Sequence, residues 1–109
     1  MGNLENNPDK QAQVFADDRA NVFHSWSAQA QISPMVVAGG AGSYFWDFTG
    51  KKYLDFSCQL VFTNIGHQHP KVIEAIKAQA DVLATVAPQH ANEARNQAAK
   101  AIIEVANGN

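Results

Sequence analysis

Four histidines, one cysteine and six lysines are the side chains of this 109-residue sequence with the most chemistry open to them. His67 and His69 flank Gln68, and with His24 or His90 they would offer three imidazoles to a zinc ion. No carboxylate or cysteine stands at ligand spacing, and His69 directly before Pro70 is more simply a helix-entry residue, so no metal site is expected. Cys58 would need a base within hydrogen-bond reach to act as a nucleophile; no local histidine supplies one, and an inert, partly buried thiol is the expectation. The lysines, at 10, 51, 52, 71, 77 and 100, fall in a tail, in a turn or on polar helix faces. A lysine that attacks a carbonyl needs burial or a cationic neighbour to depress its pKa, and none of these positions predicts either. Gly39-Gly40-Ala41-Gly42 is followed by Ser43-Tyr44 and not by the Gly-Lys-Ser/Thr of a phosphate-binding loop, so these glycines are read as turn formers.

Composition narrows the classes further. A net charge of −2 and a pI near 6.0 leave no basic patch to neutralise phosphates, which argues against a nucleic-acid partner. The lone Cys58 excludes an intrachain disulfide. No apolar run approaches the roughly 18 residues of a membrane span, and the first ten residues contain no apolar signal region, so a cytoplasmic chain with no membrane partner is expected. The length fits one domain. Its 46% hydrophobic content includes 18 alanines, which bury little area each, so the supply of core side chains is modest and lies mainly between Met35 and Phe62.

The elements that would position these groups follow from spacing. Residues 1–12 are polar and read as a disordered or partner-bound tail, leaving 13–109 as the folded part. Ala20, Val22, Phe23, Trp26 and Ala30 recur at helical spacing between Asp17 and Gln31, predicting a helix that Pro34 ends. Met35-Val36-Val37 reads as a short strand. Residues 43–48 and 52–57 alternate and are rich in aromatics, and Thr49-Gly50-Lys51 between them makes a β-hairpin. Phe45 and Asp47 share one face of the first strand, and Tyr53, Asp55 and Ser57 share one face of the second. Pro70 starts a helix whose apolar stripe runs from Val72 to about Val86, with Pro88 beyond it. A last helix spans about Ala91 to Val105 and stops at Asn107-Gly108. The fold class is α+β: an N-terminal helix, a small antiparallel three-stranded sheet with a hairpin, and two C-terminal helices.

Asp47-x-x-Gly50-x-x-Tyr53-Leu54-Asp55, preceded by Gly42 and an aromatic strand, and then Gly66-His67-Gln68-His69-Pro70 leading into a helix that reaches Gln79, resemble the opening of class III aminotransferases. These are fold-type I enzymes that use pyridoxal phosphate (PLP). The likeness runs from about Phe23 to Ile103. It implies a parent reaction that moves an amino group from an amine or amino acid donor to a 2-oxo acid, in a homo-oligomer. It also implies that the PLP-binding lysine, the aspartate facing the ring nitrogen and the phosphate loop all come later in the family's chain. This chain is therefore expected to be an N-terminal fragment of the small domain, inactive alone, with no catalytic or cofactor-binding residue of its own.

By position, the resemblance makes Trp26 and Gln29 part of the substrate-pocket wall and places Leu60, Val61 and Phe62 in the loop that often holds an aromatic gate. The residues alone support a plainer alternative in which Trp26 and Phe62 are core aromatics. The chain departs from the family where small residues or glycine usually follow Leu-Asp; here Phe56, Ser57, Cys58 and Gln59 stand. Ser27-Ala28-Gln29 likewise replaces the usual His-Pro-aromatic. A stand-alone α+β module that self-associates through its aromatic hairpin is the competing reading, because exposed apolar surface drives association.

Overall fold

A computed structural model describes residues 6–108. Asn7 opens the first helix, α1 (Pro8–Asn21), by accepting the Lys10 N–H at 2.9 Å, and Pro8 sits in the first turn, where its missing N–H would have been unpaired anyway. The helix thus begins inside the segment expected to be a tail and ends well before Gln31. Its start is fixed by the hairpin: the Asn7 N–H donates to the Phe48 carbonyl at 2.7 Å, Gln11 Oε1 accepts the Phe48 N–H at 3.0 Å, and the Lys10 ammonium lies 4.9 Å over the Phe48 ring. Residues 1–5 of the expected tail lie outside the described residues. At the other end Val22 turns extended and Trp26 takes φ +59, so the apolar residues counted as one helical stripe divide between a helix end and a loop.

Three strands, β1 (Gly39–Ala41), β2 (Tyr44–Trp46) and β3 (Lys52–Leu54), form an antiparallel sheet in that order. The first lies on the glycines and not on Met35–Val37. Close approach explains the shift, since a Cβ on Gly39 would sit 2.9 Å from Trp46 Nε1 and one on Gly40 2.9 Å from the His67 ring. Met35–Val37 instead supplies Val36, the buried hydrophobic residue among those described, at 7% exposure.

The hairpin follows the sequence reading. Phe45 and Tyr53 are directly paired and stack at 5.2 Å. Asp47 organises the turn by accepting the Thr49 N–H (2.9 Å), the Thr49 hydroxyl (2.7 Å), the Lys51 N–H (3.1 Å) and the Tyr53 hydroxyl (2.9 Å), while Gly50 supplies φ +83. The Thr49 hydroxyl bond is the largest influence on the Asp47 carboxyl and, with the other bonds, holds its pKa below the ordinary value against the opposing effect of burial.

After β3 comes a single short helical turn, α2 (Cys58–Val61), and then α3 (Pro70–Val82) and α4 (Glu93–Ala106). Pro70 opens α3 as predicted, but the helix ends at Val82, where Gln79 Nε2 donates to the Leu83 carbonyl at 3.0 Å. Asn92 caps α4 by accepting the Arg95 N–H at 3.1 Å, and Asn107 and Gly108, at φ +72, end it. The chain divides into two units, residues 1–72 and 73–109; the sheet lies in the first. Among the described residues no helix is long and apolar enough to cross a membrane.

Candidate functional site

Strand β3 delivers Asp55 to a buried position just past its end, where the Asp55 N–H donates to the Ser43 carbonyl at 2.9 Å. The carboxylate accepts five hydrogen bonds. Oδ1 takes the Gln59 N–H at 3.3 Å and the Ser57 hydroxyl at 3.4 Å; Oδ2 takes Gln59 Nε2 at 3.2 Å, the Thr63 hydroxyl at 3.3 Å and His67 Nε2 at 2.7 Å. Burial pushes this carboxyl up, but the bonds from His67, Gln59 and Thr63 outweigh it and hold its pKa at about 2. His67 is fixed in turn. Its N–H donates to the Gly42 carbonyl at 2.8 Å and its carbonyl accepts the Gly42 N–H at 3.0 Å, while its ring packs over Gly40 and 6.3 Å from Phe45. A cavity of about 60 Å³ lies between Asp55, Cys58, Thr63 and His67.

The turn α2 that this carboxylate holds is left-handed. Cys58, Gln59, Leu60 and Val61 have φ of +50, +48, +57 and +67. Such a run costs L-residues about 1–2 kcal/mol each, and a β-branched residue such as Val61 is seldom found there. Its first two residues, Cys58 and Gln59, end the stretch where the sequence departs from the small residues expected by resemblance. The turn closes through Val61 N–H to the Ser57 carbonyl (3.2 Å) and Thr63 N–H to the Cys58 carbonyl (3.0 Å), and it leaves Leu60, Val61 and Phe62 exposed. Cys58 is a free, half-buried thiol at its start.

Trp26 and Gln29 share the loop after α1. Trp26 is 98% exposed. Gln29 spends its side-chain amide on the loop itself: Oε1 accepts the His24 N–H at 3.0 Å, and Nε2 donates to the His24 and Ser27 carbonyls. Arg19 reaches the Gln29 carbonyl, and His24 Nε2 lies 2.7 Å from Asp18 Oδ2. The structure thus gathers Leu60, Val61 and Phe62 on one turn and Trp26 and Gln29 on another loop. Among the described residues, no hydrogen bond links the two groups. Sequence reasoning missed Asp55 as the hub and Thr63, Gln59 and His67 as its partners. The available signal was an aspartate at a strand end followed by Ser57, a common way to start a turn.

PLP, the cofactor implied by the resemblance, needs a buried lysine, a carboxylate free to face its ring nitrogen and an anion cradle. The described lysines are all exposed, with Lys51 lying 5.0 Å over the Tyr53 ring. Both buried carboxylates, Asp47 and Asp55, are occupied by the chain's own donors. The larger groove, about 460 Å³ between α1 and Ser33–Val36, is lined by residues such as Gln11, Phe15 and Met35 and contains no charged side chain. The described residues do not assemble that set. No group of three or more metal-binding side chains occurs among the described residues.

The model of the family described as aminotransferase class-III matches residues 26–109. Acetylornithine aminotransferase of Methanosarcina mazei is 32% identical over 104 residues, which are 95% of this chain and 25% of that protein. The structure of taurine:2-oxoglutarate aminotransferase from Bifidobacterium kashiwanohense, in complex with PLP and glutamate, matches with TM-score 0.80 and 34% identity over 96% of this chain and 22% of the other. A Bacillus anthracis aminotransferase shares the fold at TM-score 0.83 and 24% identity, over 94% of this chain and 23% of that one. The chain therefore spans about a quarter of the length of these relatives. Its hairpin, its Gly-His-x-His-Pro entry into α3 and its match across residues 26–109 make it a member of the class III aminotransferase family, whose cofactor is PLP.

Proposed function

We propose that this chain serves as the N-terminal segment of a PLP-dependent aminotransferase that transfers an amino group from an amine or amino acid to a 2-oxo acid, and that it is inactive alone. Its own contribution is pocket wall. Leu60, Val61 and Phe62, with Trp26 and Gln29, would flank the donor and exclude water from it, while the residues that bind PLP come from elsewhere in the enzyme. The observation that carries this reading is a turn held in costly left-handed backbone that keeps three large apolar side chains in solvent. The names of relatives support the reaction class, pairing taurine with 2-oxoglutarate in one and naming acetylornithine in another. A cytoplasmic homo-oligomer is part of the same reading.

Two measurements test it. The chain incubated with PLP should show no visible absorption band beyond that of free PLP and exposed lysines; a stoichiometric band abolished by one Lys→Ala change would mean the chain holds cofactor itself. A chimaera placing residues 23–103 in the matched segment of the Methanosarcina mazei enzyme should be active with an altered KM for its amino donor. In that chimaera Phe62→Ala should shift donor KM about tenfold. An unchanged KM would remove the pocket role. The interaction-module alternative is favoured by the large exposed apolar residues, and a chimaera that folds without activity would move the balance toward it.

A further inference from the structure

The turn that carries Leu60, Val61 and Phe62 is tied to one carboxylate and, through it, to the sheet. We propose that Asp55 is a positioning residue that holds the left-handed turn Cys58–Val61 and so aims Leu60, Val61 and Phe62 at the substrate. The aiming half of this inference rests on the reading of those three side chains as pocket wall.

Four consecutive residues with side chains sit at positive φ, and none of them is glycine. Left to itself, such a segment relaxes toward right-handed backbone, because each Cβ crowds the following carbonyl oxygen. Persistence requires that the surroundings over-determine it. Three backbone bonds, from the amides of Val61, Phe62 and Thr63, close the turn on itself, but none ties it to the sheet. The ties to the sheet pass through Asp55. Its own N–H is bound to Ser43 at the entry to β2, and its carboxylate collects donors from before, within and after the turn: Ser57, Gln59 twice, and Thr63. His67 closes the other side at 2.7 Å and is itself pinned to Gly42 by two backbone bonds.

The chemistry of the hub is specific. A carboxylate accepts at both oxygens, and here both are used by donors. An asparagine of the same shape would turn an NH2 toward at least one set of those donors and lose the bonds there. Asp47, the other buried carboxylate, binds Thr49 and Lys51 of the hairpin turn and Tyr53 of β3 but no residue of the left-handed turn, and serves as the matched control.

The test is residue-resolved amide hydrogen exchange on the 109-residue chain, comparing wild type, Asp55→Asn and Asp47→Asn. Asp55→Asn should speed exchange at the Gln59, Val61 and Thr63 amides about tenfold relative to Phe45 and Tyr53. Asp47→Asn should leave those three amides exchanging as in wild type, because Asp47 binds Thr49, Lys51 and Tyr53 and none of the turn's residues. Unchanged exchange in Asp55→Asn, or a rise in step with Phe45 and Tyr53, would overturn the inference, the second because it reports general loosening and not release of the turn. Should Asp55→Asn fail to fold, Thr63→Val and Gln59→Ala each remove one side-chain tie, and neither loosening the turn would overturn it equally. In the chimaera, Asp55→Asn should raise donor KM as Phe62→Ala does. Faster exchange with donor KM unmoved in both variants defeats the pocket reading and the aiming half with it; unmoved exchange with a Phe62→Ala effect on KM defeats the positioning role and leaves the pocket reading standing.

Discussion

Asp55 is buried yet ionised, and its pH dependence follows from which state it favours. Burial pushes the carboxyl up, the bonds from His67, Gln59 and Thr63 pull it down further, and the folded value of about 2 lies below the ordinary aspartate value of 3.8. A depressed folded pKa stabilises the fold above the unfolded value and loses that contribution as pH falls from about 4 toward 2. Asp47 acts in the same direction. The urea midpoint should therefore drop across that window, and Asp55→Asn should start lower and show a shallower drop; an equally steep fall in the variant would assign the effect elsewhere. Val61 gives a second residue-scale expectation. At φ +67 and 74% exposed, it loses little packing when truncated, so Val61→Gly should raise stability by about 0.5–1 kcal/mol in urea denaturation. A loss would contradict the left-handed turn. Leu60, Val61 and Phe62 were grouped by resemblance alone, and their left-handed backbone was not legible in the sequence, because no glycine marks it. The Asp55–His67 bond spans twelve residues and leaves no periodic trace.

Among the elements, β1 has the sharpest steric requirement. A Cβ at Gly39 would lie 2.9 Å from the Trp46 indole, and one at Gly40 2.9 Å from the His67 ring. Each Gly→Ala change should cost about 1–3 kcal/mol. Gly39→Ala should also alter Trp46 fluorescence, whereas Gly40→Ala should displace His67 and loosen the turn held by Asp55. A Gly39→Ala protein with wild-type stability and emission would refute the close approach. The contrast between elements shows what local sequence can report. The hairpin and the entry to α3 were legible because their determinants are local: alternating aromatics, Gly50, and Pro70 at a helix start. The extents of α1 and β1 were not, because their determinants are distant. Asn7 and Gln11 find Phe48, and the glycines find Trp46 and His67. Helical spacing from Ala20 to Ala30 misled for the complementary reason: Phe23 and Trp26 are 79% and 98% exposed, so little burial favours a helix there.

At the scale of the molecule, the distribution of apolar surface sets the expected behaviour. Val36 is the buried hydrophobic residue among those described, while Phe23, Trp26, Phe56, Phe62, Val82 and Val105 are all largely exposed. Hydrophobic burial is the main favourable term in folding, and large exposed apolar side chains in this number mark surfaces that another chain or domain covers. Relatives about four times as long contain the matched segment, which gives a reason for that surface to exist. The chain alone should associate: sedimentation should show mass rising with concentration, and dye binding should report exposed apolar surface. Setting residues 23–103 within the longer enzyme should remove both signals, because the rest of that enzyme then covers what is bare here. A monodisperse monomer at high concentration would show that these side chains tolerate water. It would count against the self-associating module.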